Sequence, residues 1–311
     1  MKISIVTPAF NEEGNVVELC ERISTAMAST GLDYEHIIID NASTDCTVDR
    51  VKEVIARDKR VKLIVNTRNF GHIRSPAHGF LTASGDAVIG MASDLQDPPE
   101  LIPSFIERWR RGAKIVLGVK ETSEESLAMW LARRVFYRLL DLLSEVKPVR
   151  DATGFGLYDR SVMDLFRQTR DPYPFFRGFL AETGYAIYRI PYRQPVRKHG
   201  FTKNNFLTLY DYAMLAFVNH SKLPLRFASL LGFLGSAASL AVGVLYLIFK
   251  LAAWHEFELG IAPVIIGLFF LGSVQLLFLG VVGEYIGFIF TRIKNESLVV
   301  ERERVNFEDR Q

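Results

Sequence analysis

Apolar and polar positions alternate in short blocks along the first 120 residues. Ile3-Ser4-Ile5-Val6-Thr7 is a compact, β-branched run that stops at Pro8, the pattern of a strand. Val16, Val17, Leu19, Cys20 and Ile23 then recur on one side of a 3.6-residue period and predict a helix. The cycle repeats: strands over 36–40, 61–65, 87–91 and 114–119, separated by helical patterns over 47–56, 72–83 and 99–111. Strands alternating with helices predict an α/β fold with a mainly parallel sheet and helices on both faces. In such sheets ligands bind outside the carboxyl ends of the strands. Polar clusters fall there: Asn11-Glu12-Glu13, Asp40-Asn41 and Ser93-Asp94-Leu95-Gln96. Each cluster alone also reads as helix caps or turns, with Asn11 and Asp45 the cap candidates.

The pattern changes in the last third. No charged residue occurs over 227–249 or over 259–283, and a further apolar stretch follows Glu284 to Phe290. Each run is long enough to cross a hydrocarbon core of roughly 30 Å as a helix. Glycines and other small residues inside both runs allow close helix approach, and with it self-association into a homo-oligomer. Lys222 and Arg226 precede the first run, Arg292 and Lys294 follow the second, and 251–258 holds no Lys or Arg. This bias predicts a hairpin with both ends on the cytoplasmic side. The N-terminus shows no secretory signal pattern, so the large N-terminal part is expected in the cytoplasm. The aromatic and aliphatic mix over 206–218 fits an interfacial helix or an amphipathic helix packed on the domain. The expected organisation is a globular domain over 1–205, a juxtamembrane helix over 206–225, two transmembrane helices within 226–291 (about 227–250 and 259–290), and a cytoplasmic tail over 292–311.

Composition sharpens this. The chain has 311 residues, 37 Lys+Arg against 35 Asp+Glu, and 49% apolar residues. A net charge of +2 excludes the basic excess of a nucleic-acid binder. The mean hydropathy of +0.14 averages a charged domain with an apolar hairpin. Cys20 and Cys46 cannot build a disulfide framework, which fits a reducing compartment. No G-x-G-x-x-G follows the first strand and no G-x-x-x-x-G-K-[ST] occurs, which removes the main support for a nicotinamide enzyme or a P-loop phosphotransferase.

Val6-Thr7-Pro8-Ala9-Phe10-Asn11-Glu12-Glu13, Ile39-Asp40-Asn41-Ala42-Ser43-Thr44-Asp45 and Asp94-Leu95-Gln96-Asp97-Pro98-Pro99-Glu100 resemble three signature stretches of family 2 glycosyltransferases, in particular the polyprenyl-phosphate branch. The likeness extends through Arg68-Asn69-Phe70-Gly71, Asp151 to Arg160, Arg197-Lys198-His199-Gly200-Phe201-Thr202-Lys203 and Gly280 to Gly287. It implies a GT-A nucleotide-sugar fold, a nucleotide-sugar donor such as UDP-glucose or a GDP-sugar, a polyprenyl-phosphate acceptor, and a divalent metal, Mg²⁺ or Mn²⁺. Carried over by position, Pro8, Asn11, Glu12, Asp40, Asn41, Ser93 and Asp94 line the nucleotide pocket. Asp94 and Gln96 meet the metal, and Arg197 and Lys203 face diphosphate or lipid phosphate. Four positions depart from the family pattern. Ala92 stands where D-x-D-L-Q has its first carboxylate, Asn41 where a second Asp is usual, and Gly154 and Gly156 where D-x-G-D-F-R-L has Asp and Arg.

The chemistry is coherent with that set. A cation bridging the donor's phosphates stabilises the charge that grows on the leaving group. One carboxylate and one amide oxygen suit Mg²⁺, which keeps water and substrate phosphates as further ligands. A lipid phosphate is already an anion, so a general base is optional and positioning plus charge neutralisation do most of the work. Asp151 is the remaining candidate, as base or acceptor-site residue or as a loop carboxylate paired with Arg150 or Arg160. The expected activity is inverting transfer of a single sugar at the cytoplasmic face of a bacterial inner membrane, for cell-envelope glycan or glycolipid modification. The alternatives are a processive polysaccharide synthase and a catalytically silent nucleotide-sugar-binding subunit.

Overall fold

The computed structural model describes residues 1–120, 152–169, 171, 173–174, 176–195, 223–252, 261–293 and 298–307. Its centre is an eight-stranded sheet. The strands are β1 (Lys2–Ala9), β2 (Asp33–Asp40), β3 (Val61–Asn66), β4 (Ala87–Gly90), β5 (Ile115–Lys120), β6 (Ala152–Asp159), β7 (Ile187–Tyr192) and β8 (Glu301–Val305). Their order across the sheet is β7-β5-β6-β4-β1-β2-β3-β8. β1 pairs in parallel with β2 and β4, β2 with β3, and β5 with β7. β6 and β8 run antiparallel to their neighbours.

Helices α1 (Val16–Ala28), α2 (Thr47–Arg57) and α3 (Gly71–Thr82) are the crossovers the periodicity predicts. The pattern over 99–111 resolves into a 3-10 turn, Pro99–Leu101, and α4 (Ile102–Arg110), with α5 (Arg160–Thr169) and α6 (Phe176–Glu182) after β6. Two apolar layers follow from strand alternation. Ile38, Leu63 and Val65 pack with Val16, Val51 and Ile55 of α1 and α2, whereas Val6, Ile37, Ile39 and Ile64 pack with Ala77 and Phe80 of α3. At Gly79 a Cβ would stand 2.6 Å from Val6 Cγ1, so α3 lies on β1 as closely as only glycine permits.

β1 continues past Pro8 to Ala9, opposite Ile39 and Asp40 of β2. β4 pairs with β1 only as far as Val6, so the missing Pro8 N–H falls where the strand has a single neighbour.

The C-terminal region differs from expectation. Residues 301–305 are not a tail but β8, at the edge of the sheet beside β3. Before it come two long helices, α7 (Leu223–Ala252) and α8 (Ile261–Ile293), that begin and end a few residues away from the expected bounds. Among the described residues one segment, Phe270–Gly287 in α8, is long and apolar enough to cross a membrane. Both helices expose large apolar side chains, Phe233 and Leu251 on α7 and Leu268, Phe270 and Leu276 on α8 among them. The juxtamembrane stretch 206–222 lies outside the described residues.

His36 illustrates what the sheet interior does to a titratable group. It is fully enclosed, with Nε2 at 3.0 Å from Thr7 Oγ1 and Nδ1 at 3.7 Å from Cys20 Sγ. Burial holds its pKa down at about 4, against 6.5 for a free imidazole. The unfolded chain therefore takes the proton first, and stability present above about pH 6.5 is lost as pH falls toward 4. The loss amounts to about 3 kcal/mol at most. Thermal unfolding of the full chain between pH 7 and 5 should show this slope, and His36→Gln should flatten it. Asp40 and Asp97, whose carboxyls burial raises, titrate with the opposite sign in both proteins and cancel in the comparison.

Candidate active site

β1, β2 and β4 end at one edge of the sheet, and each is followed by a loop containing a non-glycine residue with positive φ: Asn11 at 58°, Ala42 at 62° and Leu95 at 60°. Left-handed backbone costs roughly 1–2 kcal/mol at a residue carrying a Cβ, less at Asn. Strain of this kind concentrates at ligand sites, and here the sequence-predicted polar clusters occupy the same loops.

Hydrogen bonds stitch the first two loops together. The Asn11 N–H donates to Ser43 Oγ at 2.9 Å, and the Thr44 N–H donates back to Asn11 Oδ1 at 2.8 Å. The Glu12 N–H donates to Thr47 Oγ1 at 2.8 Å, and the Cys46 N–H to the Glu13 carboxylate at 2.9 Å. Asp45 accepts the Thr47 N–H at 3.0 Å in the turn that leads into α2, whose N-cap residue is Cys46, whereas Asn11 bridges loops. The buried Glu12 carboxylate accepts from Asn15 Nδ2 at 2.6 Å. Asn41, also buried, clamps the loop after β3. Its Oδ1 accepts the Phe70 N–H at 2.8 Å and its Nδ2 donates to Asn69 Oδ1 at 2.8 Å. An Asp at position 41 could not make the second bond, so this departure from the family pattern has a local structural role.

Asp40 is different in kind. It is completely buried, and its Oδ2 accepts the Ser43 N–H at 3.0 Å. Among the described residues its Oδ1 has no hydrogen-bond partner. Burial pushes the carboxyl up, while the Ser43 and Ala42 hydrogen bonds and the positive charge of Arg302 act against that. A buried carboxylate oxygen without a donor is costly unless a ligand supplies one. Pro8, half-exposed on β1, lies opposite Ile39, beside the Ala9–Asp40 pair.

The third loop presents the candidate metal residues. From Ser93 to Asp97 burial alternates: Ser93, Leu95 and Asp97 point inward, and Asp94 and Gln96 are half-exposed. The segment is bent at Leu95 rather than extended, so what the two candidates share is partial exposure. Asp94 Oδ1 accepts the Gln96 N–H at 3.2 Å, which fixes the turn. Among the described residues no group of three His, Cys, Asp or Glu side chains stands together as a cation site. One carboxylate and one amide on an open loop fit a hard cation that takes its remaining ligands from water and substrate phosphates.

Asp97 is a residue sequence reasoning passed over, although it lies in the motif. It is buried, and its carboxylate accepts the Ala92 N–H at 2.9 Å and the Tyr192 hydroxyl at 2.9 Å. It thereby ties the Asp94 loop to β7. Tyr192→Phe removes one of these donors and should lower stability by about 1–3 kcal/mol. Faster amide exchange at Ala92 would show that the loop itself has loosened; unchanged exchange would show that it does not depend on this bond.

β6 runs antiparallel to β4, with Gly156 opposite Gly90, so its start reaches the same edge. Gly154 there has φ 95°, and a Cβ on Gly156 would stand 2.4 Å from Val116 O. The backbone is thus shaped around glycine at both departures from the family pattern, and neither accepts a side chain without rearrangement. Asp151, Arg197 and Lys203 lie outside the described residues.

Comparison with known proteins fits this edge. The model of Glycosyl transferase family 2 matches residues 4–166. An uncharacterized glycosyltransferase of Synechocystis is 31% identical over 96% of this chain and 94% of its own length. A prophage-derived bactoprenol glucosyl transferase of Shigella flexneri is 32% identical over 95% of this chain and 96% of its own. Among solved structures, glucosyl-3-phosphoglycerate synthase from Mycobacterium tuberculosis, in complex with Mn²⁺, UDP and phosphoglyceric acid, is 20% identical, covering 70% of this chain and 76% of that one with a TM-score of 0.47. The family match spans all three strained loops, and the curated relatives extend it through the C-terminal helices: the chain belongs to glycosyl transferase family 2 and is a glycosyltransferase.

Proposed function

We propose that the enzyme transfers one sugar from a UDP- or GDP-sugar to a polyprenyl phosphate, with inversion, at the cytoplasmic face of a bacterial inner membrane. The observation that carries this reading is the join between the sheet and an apolar helix. α8 leads within residues 294–300 into β8, which is part of the same sheet as the candidate site. A catalytic edge tethered in this way stays at the height where a lipid phosphate presents its head group. The exposed apolar side chains of α7 and α8 support a two-helix transmembrane hairpin, because a water-exposed surface of that size is unfavourable. Relatives named bactoprenol glucosyl transferase, matching nearly end to end, support the acceptor class.

In this reading the orphan Oδ1 of Asp40 accepts an N–H from the nucleobase, beside Pro8 and the loops that Asn11, Glu12 and Asn41 hold in place, and the buried Ser93 also lines the nucleotide site. Asp94 and Gln96 would hold Mg²⁺ or Mn²⁺, which when bound would supply Lewis-acid stabilisation of the leaving diphosphate. Asp94 would also help to orient the donor's diphosphate for in-line attack. The acceptor phosphate attacks as an anion. Arg197 and Lys203 would steer and hold it, Arg in a bidentate pair and Lys as a point charge. Asp151 would orient the acceptor rather than remove a proton, since no hydroxyl is activated.

The test is transfer by purified full-length protein with short-chain polyprenyl phosphate, Mg²⁺ or Mn²⁺ and a panel of radiolabelled UDP- and GDP-sugars. A single sugar on lipid is the expected product. Chain growth would make the enzyme a processive synthase, and nucleotide binding without transfer from any donor would make it a silent subunit.

A further inference from the structure

We propose that Arg302 recognises the nucleotide half of the sugar donor, carried to the rim of the pocket by the strand that follows the last helix. The proposal rests on the donor reading above and adds a residue from a part of the chain outside the family match, which ends at residue 166.

β8 is fastened at both of its ends. The Thr67 N–H donates to Val300 O at 2.9 Å, Arg74 Nε to Leu298 O at 2.8 Å, and Asn306 Nδ2 to both Lys59 O and Val61 O at 2.7 Å. Its charged side chains are mostly paired: Glu301 with His78 and Arg304, and Glu303 with Lys52 at 2.8 Å. Arg302 is the exception. It is exposed, and among the described residues it makes no ion pair.

The register explains where it stands. Val65 faces Glu303 and Asn66 faces Glu301, so Arg302 is the extra residue of a bulge. Bulges re-aim a side chain and recur beside active sites. Because β8 is antiparallel to β3, this bulge lies at the carboxyl end of β3, the edge at which Asp40 ends β2. Across β3, the positive charge of Arg302 acts to lower the Asp40 carboxyl, against the larger effect of burial. A cation without a carboxylate partner among the described residues, across β3 from a buried acceptor without a donor, is complementary to a nucleoside diphosphate. Such a ligand carries N–H donors at its base and negative charge at its phosphates. Arg suits the task because its planar fork binds phosphate oxygens bidentately.

Binding of UDP and of GDP to the full-length protein, measured by calorimetry with Mn²⁺ present, tests this. Arg302→Ala should weaken nucleotide binding about tenfold and raise the donor KM with kcat retained, and Arg302→Lys should recover part of the loss. Arg304→Gln, on the same strand, should bind like the wild type. Wild-type affinity in Arg302→Ala overturns the proposal alone. Equal weakening in Arg304→Gln also overturns it, since the effect would then belong to strand docking. Failure of the wild type to bind either nucleotide overturns the donor reading and this proposal together.

Discussion

Asp94→Asn is expected to lower sugar transfer by about 10²- to 10³-fold, the range for removing one preorganised electrostatic contact to a transition state. The substitution is informative because it spares the fold. The structural duty of Asp94 is the bond from the Gln96 N–H, and an amide oxygen can accept the same bond. A half-exposed Asp94 also leaves no cavity and no stranded charge when neutralised. The variant should therefore melt with the wild type while kcat falls. Asp94→Ala loses the turn bond as well, at a further cost of about 1 kcal/mol in stability. Gln96→Ala should give a smaller activity loss than either, because an amide contributes a weaker ligand than a carboxylate. Wild-type rates in Asp94→Asn would remove Asp94 from the reaction and with it the metal assignment.

The parts of the molecule that the sequence discloses are those in which one period dominates. β1 to β5 and their crossover helices follow from blocks of β-branched residues and 3.6-residue stripes, and the sheet edge that collects Asn11, Asp40 and Asp94 follows from strand direction alone. β6, β7 and β8 escape for three different reasons. β6 carries Gly154 and Gly156, which erase alternation where the backbone is most constrained. β7 is an edge strand with Pro191 near its end and Tyr188 and Arg189 exposed. β8 reads Glu301-Arg302-Glu303-Arg304-Val305, a sequence with the composition of a solvated tail, held in the sheet by ion pairs and backbone bonds contributed by distant residues. The same limit applies within the site. Which polar residues occupy the edge is visible in the sequence; which of them spend their hydrogen bonds on each other is not. Glu12 and Asn41 turn inward and brace the loops, whereas Asp40 keeps an oxygen free, and only the tertiary pairing distinguishes them.

The largest loss of stability is expected at the opposite edge of the sheet, from Glu35→Ala. Glu35 lies near the start of β2, roughly 16 Å from Asp40 at the strand's rise per residue. Its carboxylate is buried and accepts from Lys62 Nζ at 2.8 Å, Lys2 Nζ at 3.0 Å, Ser4 Oγ at 2.6 Å and the Ser84 N–H at 2.9 Å. Burial alone would raise its pKa, yet the bonds from Lys62, Ser4 and Ser84 outweigh burial and bring it to about 2. A carboxyl held below its ordinary 4.5 contributes stability that is complete above about pH 4.5 and disappears as pH falls toward 2. That contribution is about 3 kcal/mol, and removal of one partner from a buried ion pair costs about 3–5 kcal/mol, because the remaining groups lose their partner in place. Lys62 is mostly buried, and the Ser4 hydroxyl, which also accepts the Gly85 N–H at 2.8 Å, is enclosed with it. Glu35→Gln keeps the acceptor for Ser4 and Ser84 and should lose less than Glu35→Ala. In denaturant titrations above pH 5 both variants should be destabilised in that order, and the gap to the wild type should close below pH 4. Transfer per folded molecule should be unchanged, since nothing at this edge touches the donor or the acceptor. A Glu35→Ala protein as stable as the wild type would mean that the two lysines escape to solvent and that the network contributes nothing; a stable protein with a lowered kcat would mean that the two ends of β2 are coupled.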